Sequence, residues 1–277
     1  MPDVLSEERE PGVVVLTLNR PERRNALAPA LLDALHGAFD RIAGDPSVRV
    51  VVVTGAGDAF CSGADMKGGV DIGDEPSTPT GELLRQVQGD VARTLAAQEL
   101  MASLFERVHR LRQPVIAAVN GAAVGGGFAF ALACDIRYAS AGARFGAVFI
   151  TRGVSACDMG TSYFLPRLVG ASRAAELMLT GRVFGAAEAR GMGLVLDVVD
   201  EGAVVERALE TARLIAANPP LAVWMTKETM WQTIDAPSFR HALDMENRTQ
   251  VMCTATGELT EAFAAFREGR PARWKPL

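Results

Sequence analysis

Four consecutive valines, Val50–Val53, sit inside the run Val48–Thr54 (VRVVVVT) and leave it no polar face. A strand of that composition must be covered on both sides, as strands in the parallel sheets of α/β proteins are. A second β-branched run, Val13–Leu18, follows the Pro11-Gly12 turn, and a third spans Pro114–Val119. Between them lie helical patterns. Leu31, Leu32, Leu35, Phe39 and Ile42 recur at helical spacing up to Gly44, and Leu95, Leu100, Leu104 and Val108 predict a stripe on a helix over 91–111. Strands alternating with helices predict an α/β fold with a mainly parallel sheet, since parallel neighbours need crossover connections. Beyond Glu201 no strand pattern remains, and alanine-rich stretches at 203–217, 221–234 and 259–269 read as helices. The chain therefore divides into a mixed core over residues 1–215 and a helical capping or oligomerisation region over 216–277. Residues 68–90, polar with Gly and Pro, read as one long loop bordering a site.

With 277 residues, 49% hydrophobic and 22% charged, the chain has ample material for a buried core. Its net charge of −5 argues against nucleic acid or an anionic membrane as partner, because phosphate binding needs a basic field. The longest apolar run, Ala122–Cys134, is too short to span a bilayer and carries three glycines. Acidic residues Asp3, Glu7, Glu8 and Glu10 make the start unlike a targeting segment. Cys61, Cys134, Cys157 and Cys253 lack metal-site or disulfide-framework spacing, and no His/Asp/Glu cluster has ligand spacing, so no metal is expected. These features predict a protein of the cytoplasm.

Two stretches stand apart chemically. In Val119–Asp135, Gly125-Gly126-Gly127 open a helix, where each glycine costs about 1 kcal/mol relative to alanine. Either close backbone packing demands them, or free N–H groups at the helix start face developing negative charge. The second stretch, Asp58–Lys67, follows the valine strand. Its Asp65 reads alone as a helix cap, but loops after parallel strands gather at one sheet edge, so this turn could add a second N–H to the same oxygen.

Taken together, LNRPERRNAL (18–27), AFCSGADMK (59–67) and QPVIAAVNGAAVGGGF (113–128) resemble the enoyl-CoA hydratase/isomerase (crotonase) family. ACDIRYAS (133–140), LTGRVF (179–184) and ARGMGLV (189–195) extend the resemblance over nearly the whole chain. It implies the crotonase (ClpP/crotonase-like) fold, a spiral of ββα units with a helical C-terminal region, assembled as a homotrimer or a dimer of trimers. It also implies an acyl-CoA thioester as substrate, with no cofactor beyond the coenzyme A it carries. The matching positions make the backbone amides of Ala64 and Gly126 the oxyanion hole. Arg24, Ala26, Asp65 and Met66 would line coenzyme A, and Phe266 and Arg270 would reach its adenine or phosphate, including that of a neighbouring subunit.

The sequence departs from that family where hydratases carry two glutamates: here Ala129 and Phe149 occupy those places. Neither side chain can activate water or protonate carbon. Asp158 has apolar neighbours Cys157 and Met159 and no Lys or Arg within four residues, so burial would raise its pKa. Its setting resembles the aspartate of dienoyl-CoA isomerases and the nucleophilic aspartate of the CoA dehalogenase branch, although His109 does not match that branch's histidine. Asp158 also reads as an N-cap for a helix over 161–169. One carboxylate favours isomerisation; atypical hydration and covalent attack stay open, as does a catalytically silent acyl-CoA binder.

Overall fold

The computed structural model describes residues 2–65 and 78–277. Strands β1 (Val4–Glu10), β2 (Val13–Leu18), β3 (Val50–Gly55), β5 (Val115–Val119), β7 (Ile136–Ser140) and β10 (Asp197–Val199) form one sheet in the order β1-β2-β3-β5-β7-β10. A second sheet, in the order β4-β6-β8-β9, is built from β4 (Ala59–Cys61), β6 (Ala122–Val124), β8 (Arg144–Gly146) and β9 (Phe184–Gly185). From β3 to β8 the chain deals successive strands alternately to the two sheets: β3 then β4, β5 then β6, β7 then β8. Each pair is followed by helix, so the path is a spiral of ββα turns. The pairings β2–β3, β3–β5, β5–β7, β7–β10, β4–β6 and β6–β8 are all parallel.

Alternation along the strands explains the valine run. Val50 and Val52 join Val13, Val15, Ile116, Ala118 and Tyr138 in a core against Val204, Ala208, Leu209 and Ala212 of α8 (Val204–Ala216). Val51 and Val53 point the other way, into a larger core with Leu31, Leu35 and Phe39 of α1 (Pro29–Gly44). The same core receives Leu104 and Val108 of α3 (Asp90–Arg110) and Phe128 and Phe130 of α4 (Gly126–Ala133). Both faces are thus dry, as the missing polar face requires.

The structure corrects several expectations. Within 68–90, residues 68–77 lie outside the described residues, but Pro79–Arg85 forms a helix, α2, capped by the Thr78 hydroxyl. The buried face of α3 is Met101, Leu104, Phe105 and Val108; Leu95 is exposed. β1, unrecognised for its five polar residues, is an exposed edge strand antiparallel to β2.

Residues 216–277 are helical, with α9 (Pro220–Thr233), α10 (Phe239–Thr254) and α11 (Glu258–Glu268). α9 is tied to the core by a buried ion pair, Lys227 Nζ to Asp135 Oδ2 at 2.8 Å. Lys227 also donates to the Gln113 carbonyl at 3.1 Å, and Trp231 Nε1 donates to Asp135 Oδ1 at 3.0 Å. His109 stands edge-on to Trp231, ring centroids 4.6 Å apart, which makes it a packing residue of this junction. By contrast α10 buries no side chain and rests on α9 and α11. All four cysteines are free thiols. Among the described residues no helix is long and apolar enough to cross a membrane, and no His/Cys/Asp/Glu cluster could hold a metal.

Candidate active site

Parallel pairing of β4 with β6 (Ala59↔Ala122, Cys61↔Ala123) brings their C-terminal ends side by side. The loop leaving β4, Ser62–Asp65, therefore meets the start of α4. The glycines make this meeting possible. A Cβ on Gly127 would stand 1.9 Å from the Cys61 carbonyl oxygen, and one on Gly63 would stand 2.9 Å from the Val124 carbonyl and 3.1 Å from the Gly126 nitrogen. Gly63 (φ +82°) and Gly125 (φ +55°) also occupy backbone conformations that disfavour side chains. Close packing is thus one reason for the triple glycine, and its result is two main-chain segments pressed together at a helix start, where the first N–H groups lack intrahelical acceptors.

Ala64 is held from its other side. Leu27 N–H donates to the Gly63 carbonyl at 2.8 Å and Asp65 N–H donates to the Leu27 carbonyl at 3.1 Å, a parallel bridge between Leu27 and Ala64. Alternation along this extended segment turns the Ala64 N–H away from Leu27.

The chain preceding α5 (Thr161–Val169) reaches the same place. Met159 Sδ lies 3.3 Å from where a Gly126 Cβ would stand. Met159 takes φ +48°, an uncommon conformation for a residue with a side chain. Asp158 is half-buried, and its Oδ1 accepts a hydrogen bond from Gln98 Nε2 of α3 at 2.5 Å. Burial raises its carboxyl pKa above the ordinary range, opposed in part by the bonds from Gln98 and the Met159 N–H. The capping alternative is corrected: α5 starts at Gly160 (φ +83°) without a side-chain cap, and only the Asp158 backbone carbonyl bonds into it, to Thr161 N–H at 2.8 Å. At the two family glutamate positions, Ala129 is fully buried within α4. The Phe149 ring lies 4.0 Å from where a Gly125 Cβ would stand.

Arg24 and Ala26 lie on a turn beside the β4 loop. Arg24 (φ +51°) is exposed, while Ala26 is buried with its carbonyl bonded by Arg20 at 2.7 Å. The Asp65 carboxylate meets Arg20 Nη2 at 3.2 Å and Arg23 Nε at 3.5 Å; the helix cap expected of it lies outside the described residues. Asn25 (φ +54°), completely buried, pins this turn by donating to the Ala56 and Ala59 carbonyls and accepting from Arg20 N–H. The positive-φ residues with side chains among those described, Arg24, Asn25 and Met159, all belong to this neighbourhood or its flanking turn. Met66 lies outside the described residues. Phe266 is 86% exposed on α11, and the Arg270 guanidinium is engaged by Glu261 and Glu268, each at 2.6 Å. No bond among the described residues joins these two to the 20–26 turn. Sequence reasoning missed Gln98, whose partner is sixty positions away, and Arg20, whose only signal was its place in LNRP.

Residues 8–276 match the family model described as enoyl-CoA hydratase/isomerase. The chain is 42% identical to the Mycobacterium leprae protein named "Probable enoyl-CoA hydratase echA12", over 94% of this chain and 86% of the relative. A crystal structure described as a probable enoyl-CoA hydratase/isomerase from Mycobacterium abscessus superposes with a TM-score of 0.88 at 37% identity, covering 99% of each chain. Another, described as a monofunctional enoyl CoA isomerase from M. smegmatis, gives 0.71 at 37% identity, over 88% of this chain and 99% of that one. With its two-sheet spiral and this match over almost its full length, the chain belongs to the enoyl-CoA hydratase/isomerase family of enzymes and has the crotonase fold.

Proposed function

We propose that the protein converts an acyl-CoA thioester through an enolate, with the N–H groups of Ala64 and Gly126 receiving the thioester oxygen and Asp158 moving the proton. The observation that carries this reading is the approach of Met159 to Gly126. It brings the segment that carries a half-buried carboxyl of raised pKa up to the helix start, while Ala129 and Phe149 stand where the family resemblance puts the hydratases' glutamates. As negative charge moves onto the thioester oxygen, main-chain donors fixed by packing stabilise it without reorganising; losing one such donor typically costs about 3 kcal/mol of barrier stabilisation.

A single carboxylate suits isomerisation. Asp158 takes a proton from the carbon next to the thioester, and the electron pair runs into the carbonyl. The proton then returns two carbons further along, and the double bond shifts by one position. The relative described as an enoyl CoA isomerase is in keeping with this chemistry. Hydration with Asp158 as its only acid is the second reading, favoured by the relative named as a hydratase. Arg24, Ala26 and Asp65, with Met66 following, would hold the nucleotide end of coenzyme A beside Arg20 and Arg23. No further cofactor is called for. Exposed apolar side chains on α10 and α11, among them Phe239, Val251, Phe263 and Phe266, support self-association; the proposed assembly is a homotrimer or dimer of trimers, in the cytoplasm, with Phe266 and Arg270 serving a neighbouring subunit's ligand.

Enoyl-, dienoyl- and aryl-CoA esters incubated with the enzyme in heavy water test the proposal. Deuterium is expected at a substrate carbon, and Asp158→Asn should lower turnover by about 10²–10⁴-fold with acyl-CoA binding retained. Undiminished turnover in that variant discards Asp158; no deuterium from any ester leaves a silent acyl-CoA binder.

A further inference from the structure

The C-terminal half of α3 is locked in the core through Met101, Leu104, Phe105 and Val108, whereas its N-terminal half stands clear, with Val91 and Leu95 exposed. Gln98 sits where the buried part gives way to the exposed part. From this anchored helix it reaches a carboxylate in another segment and bonds Oδ1 of Asp158 at 2.5 Å. Ordering an exposed glutamine side chain costs conformational entropy, which this bond to a carboxylate offsets.

We propose that Gln98 is a positioning residue: its amide holds Oδ1 of Asp158 and directs proton exchange to Oδ2. This rests on the reading of Asp158 as the acid/base. The chemistry explains the choice of a neutral amide. When Asp158 is ionised and removes the substrate proton, the N–H stabilises the carboxylate; once it is protonated, no fixed positive charge opposes return of the proton to carbon. A lysine in the same place would hold the carboxylate ionised and weaken it as a base. Asp158 precedes the positive-φ Met159 in a segment with exposed neighbours at 153–155 and 157, so the bond to a core-anchored helix is what keeps the carboxyl from swinging outward.

The test follows exchange of the α-protons of butanoyl-CoA for deuterium in heavy water, by mass spectrometry, across pH. The full-length enzyme is compared with Gln98→Leu, Gln98→Lys and Asp158→Asn. Gln98 is exposed, so its variants are expected to fold. Gln98→Leu should slow exchange about tenfold and move the acidic limb of the profile upward by about one pH unit, the size of one hydrogen bond to a charged group, with KM little changed. Gln98→Lys should move that limb downward. A purely structural role would not shift the limb in opposite directions. Identical limbs in the wild type and both Gln98 variants, with Asp158→Asn inactive, overturn the role of Gln98 alone. Exchange that persists in Asp158→Asn, or is absent from the wild type, overturns the acid/base reading and Gln98 with it.

Discussion

Asp158 carries its charge in a place that disfavours it. Because burial raises its folded-state pKa above the ordinary 3.8, its contribution to stability is fully present below that value and is lost as pH rises through the raised one. Asp158→Asn removes this penalty. Its melting temperature should match the wild type near pH 3 and exceed it at pH 7, measured by thermal denaturation across pH; a lower value at pH 7 would contradict the burial argument. If Asp158 is the base, turnover should also fall on the acid side with an apparent pKa above 3.8. Residue by residue, the legible part of the site was whatever lay within one motif: the glycines of 125–127 and the apolar neighbours of Asp158. What escaped was pairing across the fold. Gln98 has no local mark, and nothing local ties Asp65 to Arg20 and Arg23, which stand beside it.

Among the elements, those with strong periodicity were legible: β2 was placed at Val13–Leu18, and α3, α8 and α9 fell within one residue of their expected bounds. Elements stabilised from outside were not. β1 depends on β2 for its hydrogen bonds, β10 is only three residues long, and α10 buries no apolar face that a pattern could reveal. The stripe expected on α3 erred at Leu95 because half of that helix has no core beneath it. The docking of α9 is a polar device, and it makes a sharp prediction. Lys227→Met leaves the Asp135 carboxylate buried without its cation, a change that costs about 3–5 kcal/mol. Chemical denaturation should show that loss, and Lys227→Met with Asp135→Asn should recover part of it. A single variant as stable as the wild type would mean the ion pair does not hold α9 in place.

At the scale of the molecule, the class of fold followed from the valine run, but the two-sheet spiral followed only from the family resemblance. Local sequence cannot say that β3 and β4, three residues apart, belong to different sheets, since that depends on partners sixty residues away. The division at residue 215 has a concrete test, because Trp224, Trp231 and Trp274 all lie beyond it. Trp231 reaches Asp135, and Trp274 donates to the Ala217 carbonyl at 2.6 Å. Tryptophan fluorescence and far-ultraviolet circular dichroism should therefore report one shared unfolding transition. A fluorescence change that precedes the loss of secondary structure would show a tail that melts by itself.

The crowding of Gly63 and Gly127 against neighbouring backbone has a consequence for how such a protein can diverge. Donors built from the main chain are not erased when the side chains around them change. A lineage could therefore exchange carboxylates for Ala129 and Phe149, and recruit an acid from a different segment, while the grip on the carbonyl proposed for Ala64 and Gly126 stayed as inherited.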